Sequence, residues 1–119
     1  MRILIADDNE PIRRAVTAIL LSYTDCEVCG EAVNGSEVLR KARELLPDVI
    51  LLDISMPGQS GLEAARLLRQ ELPKVKIIII SQHDPIRLLP SAIAAGAHAC
   101  VDKGRLDLDL LPAIENISG

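Results

Sequence analysis

With 119 residues, 49% of them hydrophobic but no Phe or Trp, the chain has the size of one domain spanning 1–119. Its core must be built from Leu, Ile, Val and Ala, which leaves no aromatic platform for stacking on bases or sugars. A net charge of −4, with 13 Lys and Arg residues scattered rather than striped, excludes a basic footprint for a nucleic-acid backbone and argues against direct nucleic-acid binding. No apolar run approaches the roughly 20 residues of a membrane helix, and Met1-Arg2-Ile3-Leu4-Ile5 does not open a signal peptide, so a cytoplasmic location without membrane contact is expected. Cys26, Cys29 and Cys100 make an odd count and are read as reduced structural thiols. Cys26 and Cys29 share CxxC spacing, but in a strand positions i and i+3 face opposite ways.

In chain order, Arg2 to Ala6 reads as a short buried strand that ends in Asp7-Asp8-Asn9-Glu10. Pro11 suits the first turn of a helix capped by the Asp or Asn before it, and Ile12, Ala15, Val16, Ile19 and Leu20 recur at helical spacing. Glu27 to Ala32 forms a weaker strand. Asn34-Gly35-Ser36-Glu37 resembles a capping box, and Val38, Leu39, Ala42, Leu45 and Leu46 continue a helical stripe that stops at Pro47.

Val49-Ile50-Leu51-Leu52-Asp53 is apolar without alternation, as expected of a strand covered on both faces of a parallel sheet, and it delivers one carboxylate to its end. Ser60-Gly61-Leu62-Glu63 opens another helix, carrying Ala65, Leu68 and Leu72 and ending before Pro73. Val75 to Ile80 is the fourth strand and hands Ser81 to the same edge. Asp84-Pro85 starts an Ala-rich helix closed by Gly96, Ala97 to Asp102 forms a fifth strand followed by Lys103, and a last helix fills Asp107 to about Ile117. Five β-α units with right-handed crossovers make a doubly wound parallel sheet of the α/β class.

Asp7 and Asp8, Asp53, Ser81 and Lys103 therefore fall at the ends of four strands, on one edge of the sheet. Alone, each is an ordinary cap or turn residue, and Lys103-Gly104 reads equally as a solvated turn. Their joint order is hard to explain that way. Three carboxylates together repel one another and call for a hard divalent cation with oxygen ligands, of which Mg²⁺ fits best. A carboxylate beside Mg²⁺, facing a lysine and a hydroxyl, has the parts for phosphoryl transfer onto Asp53.

Over essentially its whole length, the chain resembles the receiver domain of two-component response regulators. The resemblance implies a flavodoxin-like (βα)5 three-layer sandwich with strand order 2-1-3-4-5, and Asp53 as phosphoacceptor. It further implies that Ser81 is the switch hydroxyl, that Lys103 contacts the phosphoryl group, and that Mg²⁺ is held by Asp8, Asp53 and the Ser55 backbone carbonyl, with Asp7 acting through water. Met56-Pro57 and Gly61 fit the loop that follows. The implied function is a phosphoryl-accepting signalling switch, not an enzyme beyond its own phosphorylation and dephosphorylation. Its phosphodonor would be a sensor histidine kinase.

Asp53 to Gly61, Ser81-Gln82-His83-Asp84 and Ala95-Gly96-Ala97 look most like receivers joined to a C-terminal helix-turn-helix DNA-binding domain. No such domain follows here, and the chain is read as part of a longer protein rather than as a receiver acting alone. Homodimerisation on phosphorylation is a further expectation. His83 either tunes water access to the phosphoryl group or is a solvated loop residue; Ser55 has the same double reading, and His98 is taken as an ordinary strand-end residue.

Three departures fall near the face receivers use for output. Cys100 stands three residues before Lys103, where the family usually carries Tyr or Phe, and a thiol cannot reproduce a swinging ring. Pro90 and Pro112 fall inside the fourth and fifth helices, which predicts that those helices start late, bend or are irregular. An alternative reading is therefore an atypical receiver acting as a phosphorylation-independent interaction module. A nucleotide or flavin binder is disfavoured because Asp7-Asp8-Asn9-Glu10 occupies the place of a glycine-rich phosphate cradle. An aspartyl-nucleophile phosphatase lacks its general acid, because Ser55 is no carboxylate.

Overall fold

A computed structural model of the chain describes every residue except Thr24, Gln59, His83 and Gly119, together with the side chain of Ser118. The elements are β1 (Arg2–Ala6), α1 (Glu10–Leu21), β2 (Glu27–Ala32), α2 (Gly35–Leu45), β3 (Val49–Asp53), α3 (Gly61–Glu71), β4 (Lys76–Ser81), α4 (Pro85–Ala94), β5 (Ala99–Asp102) and α5 (Leu106–Ser118). A 3-10 turn over Lys103–Arg105 precedes α5. The strands form one sheet in the order β2-β1-β3-β4-β5, and every neighbouring pair is parallel. This is the doubly wound sheet and strand order expected.

Strand alternation divides the core in two. Ile3, Ile5, Val49, Leu51, Ile78, Ile80 and Val101 pack with Val16 and Leu20 of α1 and with Leu106, Leu110 and Ile114 of α5. Leu4, Ala6, Ile50, Leu52, Ile77 and Ile79 face the other way, onto residues of α2, α3 and α4. β1, β3 and β4 read as unbroken apolar runs because both of their faces are covered. Cys26 packs against the first cluster and Cys29 against the second, so the CxxC spacing brings no pair of thiols together. The register between β1 and β2 shifts at Ile3 and Leu4, which leaves Cys29 as the extra residue of a bulge.

Side-chain caps start the helices where the sequence places them. Asn34 accepts from the Glu37 amide at 2.8 Å, Ser60 from the Glu63 amide at 3.2 Å and Asp84 from the Ile86 amide at 3.0 Å. The expectation of late starts for the last two helices is corrected: α4 begins at Pro85 and α5 at Leu106, so Pro90 and Pro112 each lie beyond the first turn. The physical reason is exposure. Each proline deprives the carbonyl four residues earlier of its helical donor, and those residues, Ile86 and Leu108, are 81% and 59% exposed, so water can take the donor's place. Proline still lowers helix propensity at both positions. Pro90→Ala and Pro112→Ala should each stabilise the fold by about 1–2 kcal/mol, the propensity gain being offset by a more flexible unfolded chain. Equilibrium urea unfolding measures this, and a loss of stability would overturn the solvent-facing account.

Candidate functional site

Doubly wound sheets bind ligands where the strand order reverses, and here that point lies between β1 and β3. Ala6 is in register with Leu52, so Asp7, directly after β1, stands beside Asp53, the last residue of β3. Asp7 is completely buried and Asp53 is 2% exposed, whereas Asp8 reaches solvent at the rim. Hydrogen bonds hold the loop after β1 on both sides. The Asp7 amide donates to the Ala32 carbonyl at 3.0 Å, and the Asn9 amide donates to Asp7 Oδ1 at 2.9 Å. Asn9 Oδ1 in turn accepts from the Ile12 amide at 3.2 Å and caps α1.

The loop after β3 is equally constrained. The Ile54 amide donates to the Ile80 carbonyl at 3.1 Å, and the Ser55 amide donates to Asp53 Oδ1 at 3.1 Å. α3 returns so close that a Cβ added at Gly61 would stand 2.3 Å from the Asp53 carbonyl oxygen. From the end of β5, Lys103 extends its ammonium between the carboxylates, 2.8 Å from Asp7 Oδ2 and 3.1 Å from Asp53 Oδ1. Its backbone is set by Asp102, whose Oδ1 accepts from the Gly104 amide at 2.8 Å.

The electrostatics follow from this geometry. Burial raises the Asp53 pKa and the neighbouring Asp7 charge adds to it, while the Ser55 amide and Lys103 pull it back; the net displacement is upward. For Lys103, burial works against the charged form, but the close negative charges of Asp7 and Asp53 outweigh it, and its pKa rises. The ammonium is the only cation of the described residues that reaches both carboxylates. Its approach to Asp7 Oδ2 is an ion pair outside hydrogen-bond alignment, so that buried oxygen is left without a hydrogen bond.

Carboxylate oxygens of Asp7, Asp8 and Asp53 lie within 4.8 Å of one another. Three hard oxygen donors, one of them a buried oxygen lacking a hydrogen bond, fit a small divalent cation. Asp8 and Asp53 open onto a cavity of about 190 Å³ that is also lined by Asn9, Ile54, Ser55, Gln82 and Lys103, with Asp7 sealed behind it. A larger groove of about 400 Å³ lies at the opposite edge of the sheet, between Leu46 and Val75. Most of its lining is apolar, and its two carboxylates, Asp48 and Glu71, belong to no cluster of three among the described residues, so the smaller cavity is the candidate site.

The structure thus brings together Asp7, Asp8, Asp53 and Lys103, with Ser55 on the cavity wall. Ser81 arrives at the same edge but is completely buried as the last residue of β4, and it is Gln82 that lines the cavity. His83 lies outside the described residues. Cys100 sits half-buried against the α2–α4 side of the core, and burial raises its thiol pKa. His98 is more than a strand-end residue. Its Nδ1 accepts from the Ile77 amide at 3.1 Å and its own amide donates to the Ile77 carbonyl at 2.7 Å. Burial and then the charges of Lys76 and Arg69 lower its pKa, which suits the neutral ring that bond requires.

Two residues escaped the sequence reading, Gln82 and Arg13. The guanidinium of Arg13 donates to the Asp7 carbonyl at 2.8 Å and to Glu31 at 2.9 Å. The signal for Gln82 was its place directly after a strand-end hydroxyl. Arg13 left none, because one partner is a backbone carbonyl, that of Asp7 in the loop after β1, and the other is Glu31 of β2, which only the folded chain brings near.

Comparison with known proteins agrees with this architecture. Residues 3–115 match the family model described as the response regulator receiver domain. The chain is 39% identical over 118 residues to the response regulator GacA of Pseudomonas viridiflava, covering 96% of this chain and 53% of that protein. It is 36% identical over 114 residues to the uncharacterized transcriptional regulatory protein YxjL of Bacillus subtilis, covering 96% and 52%. The chain therefore spans about half the length of the curated relatives it matches. Among solved structures, a LuxR-family two-component response regulator from Aurantimonas sp. SI85-9A1 superposes with a TM-score of 0.91 at 32% identity, covering 98% of this chain and 83% of that one. A LuxR-family DNA-binding response regulator from Staphylococcus aureus does so with a TM-score of 0.89 at 27% identity, covering 99% and 98%. Such proteins are signalling components of two-component systems, and the subfamily agrees with the one the loop sequences resemble. With its fold, its edge of buried carboxylates and its match over residues 3–115, the chain belongs to the response regulator receiver domain family.

Proposed function

We propose that this domain is a phosphoryl-accepting switch in which Asp53 takes a phosphoryl group from a sensor histidine kinase. The observation that carries the reading is the ammonium of Lys103 held against two buried carboxylates, Asp7 and Asp53, at the mouth of a polar cavity. An Asp53 oxygen attacks the phosphorus of a phosphohistidine. The P–N bond breaks, an O–P bond forms, and the departing imidazole nitrogen takes up a proton.

Asp8, Asp53 and the Ser55 backbone carbonyl would hold Mg²⁺, with Asp7 acting through water, and the cation would neutralise the carboxylates and the phosphoryl oxygens. Lys103 stabilises the charge that develops on the acceptor side. An acyl phosphate adds about −1.5 to −2 charge units beside Lys103 and the buried Ser81, which favours rearrangement of both toward it. The altered surface then controls an output segment or partner in a longer protein, in keeping with relatives named as transcriptional regulators; dimerisation and a cytoplasmic location belong to the same reading. Among the described residues no helix is long and apolar enough to cross a membrane.

Incubation with Mg²⁺ and acetyl phosphate should add the mass of one phosphoryl group to the wild-type chain and none to Asp53→Asn. A beryllofluoride mimic should shift resonances of Ser81 and of residues 84–105. No adduct and no shift would leave a phosphorylation-independent interaction module, the reading favoured by Cys100 in the place of a switching ring.

Asp53→Asn also has a signature without phosphate. Because burial raises the Asp53 pKa, the folded state holds that proton more tightly than the unfolded chain. The contribution favours folding in acid and is lost as pH rises through the folded pKa. The variant should therefore be more stable than wild type at pH 7 without metal. The difference should fade as pH falls below the ordinary carboxylate range, as followed by thermal melts at several pH values.

A further inference from the structure

We infer that Arg13 is a positioning residue that sets the cation affinity of the acidic pocket by fixing the peptide plane between Asp7 and Asp8. The inference rests on the reading of Asp7, Asp8 and Asp53 as a magnesium site. Asp7 is pinned through its amide by Ala32, at 3.0 Å, and through Oδ1 by the Asn9 amide, at 2.9 Å. Neither contact determines the orientation of the peptide unit that leads to Asp8. The carbonyl of that unit belongs to Asp7, and its partner is the Arg13 guanidinium at 2.8 Å.

The same guanidinium is anchored by Glu31 Oε1 at 2.9 Å, and its side chain is only 14% exposed. Glu31 is itself held from α2, because Lys41 donates to the Glu31 carbonyl and pairs with Glu37 at 3.2 Å. A polar chain thus runs from α2 through the end of β2 and α1 to the back of the cavity. Its last link orients Asp8, the exposed carboxylate with the fewest constraints of its own. A planar guanidinium can serve Asp7 and Glu31 together, whereas the single ammonium of a lysine cannot reproduce that fork. Groups that hold metal ligands in place commonly control affinity by 10–100-fold when removed.

Charge and positioning make opposite predictions. A cation near the site repels Mg²⁺, so on charge alone Arg13→Gln would tighten binding. Positioning requires that Arg13→Gln and Arg13→Lys both weaken it. The test is calorimetric titration of the whole chain with Mg²⁺ alone, beside the amide resonances of Asp8 and Asn9 in the metal-free protein. The expected result is about tenfold weaker binding in both variants, with those resonances displaced from their wild-type positions. Unchanged or tighter binding in Arg13→Gln, or wild-type affinity in Arg13→Lys, would overturn the inference.

Should either variant fail to fold, Glu31→Ala removes the anchor at an exposed position. Weaker Mg²⁺ binding there supports the proposal and unchanged binding refutes it. Failure of the wild-type chain to bind Mg²⁺ would remove the magnesium site itself, and with it both readings.

Discussion

Gly61→Ala should destabilise the domain by about 3 kcal/mol or more, at the upper end of what forced overpacking costs. The added methyl would meet the Asp53 carbonyl oxygen at 2.3 Å, the Ile54 Cα at 2.6 Å and the Asp53 carbonyl carbon at 3.0 Å. All three are backbone atoms, so no rotamer change relieves the clash and either α3 or the end of β3 must move. Two hydrogen bonds are then at risk: the Gly61 amide to the Ile54 carbonyl at 2.9 Å, and the Ile54 amide to the Ile80 carbonyl at 3.1 Å. Because Asp53 lies at the point of contact, the same substitution should weaken Mg²⁺ binding in whatever fraction remains folded.

Gly58→Ala is the control. Gly58 has φ +82° but open space around it, so its cost is conformational, about 1–2 kcal/mol, and it should leave the carboxylates where they are. Equilibrium urea unfolding of the two variants separates the cases. Equal losses would show that proximity to Asp53 is not what Gly61 provides.

Lys103→Met should cost about 3–5 kcal/mol at neutral pH, the usual penalty for leaving a buried charge without its partner. Asp7 is completely buried and Asp53 nearly so, and the methionine keeps an unbranched apolar stem as far as Cε but removes the ammonium that lies 2.8 Å and 3.1 Å from them. Without that charge Asp53, whose pKa burial already raises, is pushed further toward its protonated form. Folded-state pKa values above the unfolded ones stabilise in acid and are lost as pH rises through them, so the deficit against wild type should shrink as pH falls.

Asp53→Asn in the Lys103→Met background should recover part of the loss by removing one of the two like charges. Mg²⁺ should recover another part, since a ligand that binds the folded state stabilises it. A double-mutant cycle read from urea midpoints measures the coupling between Lys103 and Asp53. Additive effects of the two substitutions would mean that the ion pair at 3.1 Å contributes no stability.

Much of the site was legible before folding because it is carried by strand ends. An unbroken apolar run such as Val49–Leu52 identifies a strand covered on both faces. In a parallel sheet all such strands finish on one edge, so Asp7, Asp8, Asp53, Ser81 and Lys103 could be placed together from order alone. Caps were legible for a related reason: Asn34, Ser60 and Asp84 act on amides two or three residues away, within reach of local sequence.

What local reasoning could not decide was burial and orientation. Pro90 and Pro112 looked like interruptions, yet both helices continue through them, because whether a freed carbonyl meets water or the core depends on which side of the helix faces the sheet. Ser81 and Gln82 are adjacent in sequence, and only the folded structure shows that Ser81 is buried while Gln82 lines the cavity.

The sequence by itself therefore determined the α/β class, the strand count and the edge on which the acidic residues and Lys103 gather, because periodicity and strand direction are local properties that repeat along the chain. The tertiary structure alone decided that Asp7 is sealed while Asp8 faces solvent, that α3 needs Gly61 against the Asp53 carbonyl, and that Arg13 reaches the back of the pocket. Each of these depends on how neighbouring segments pack against one another, and that packing is set only once the sheet and its two helical layers have closed.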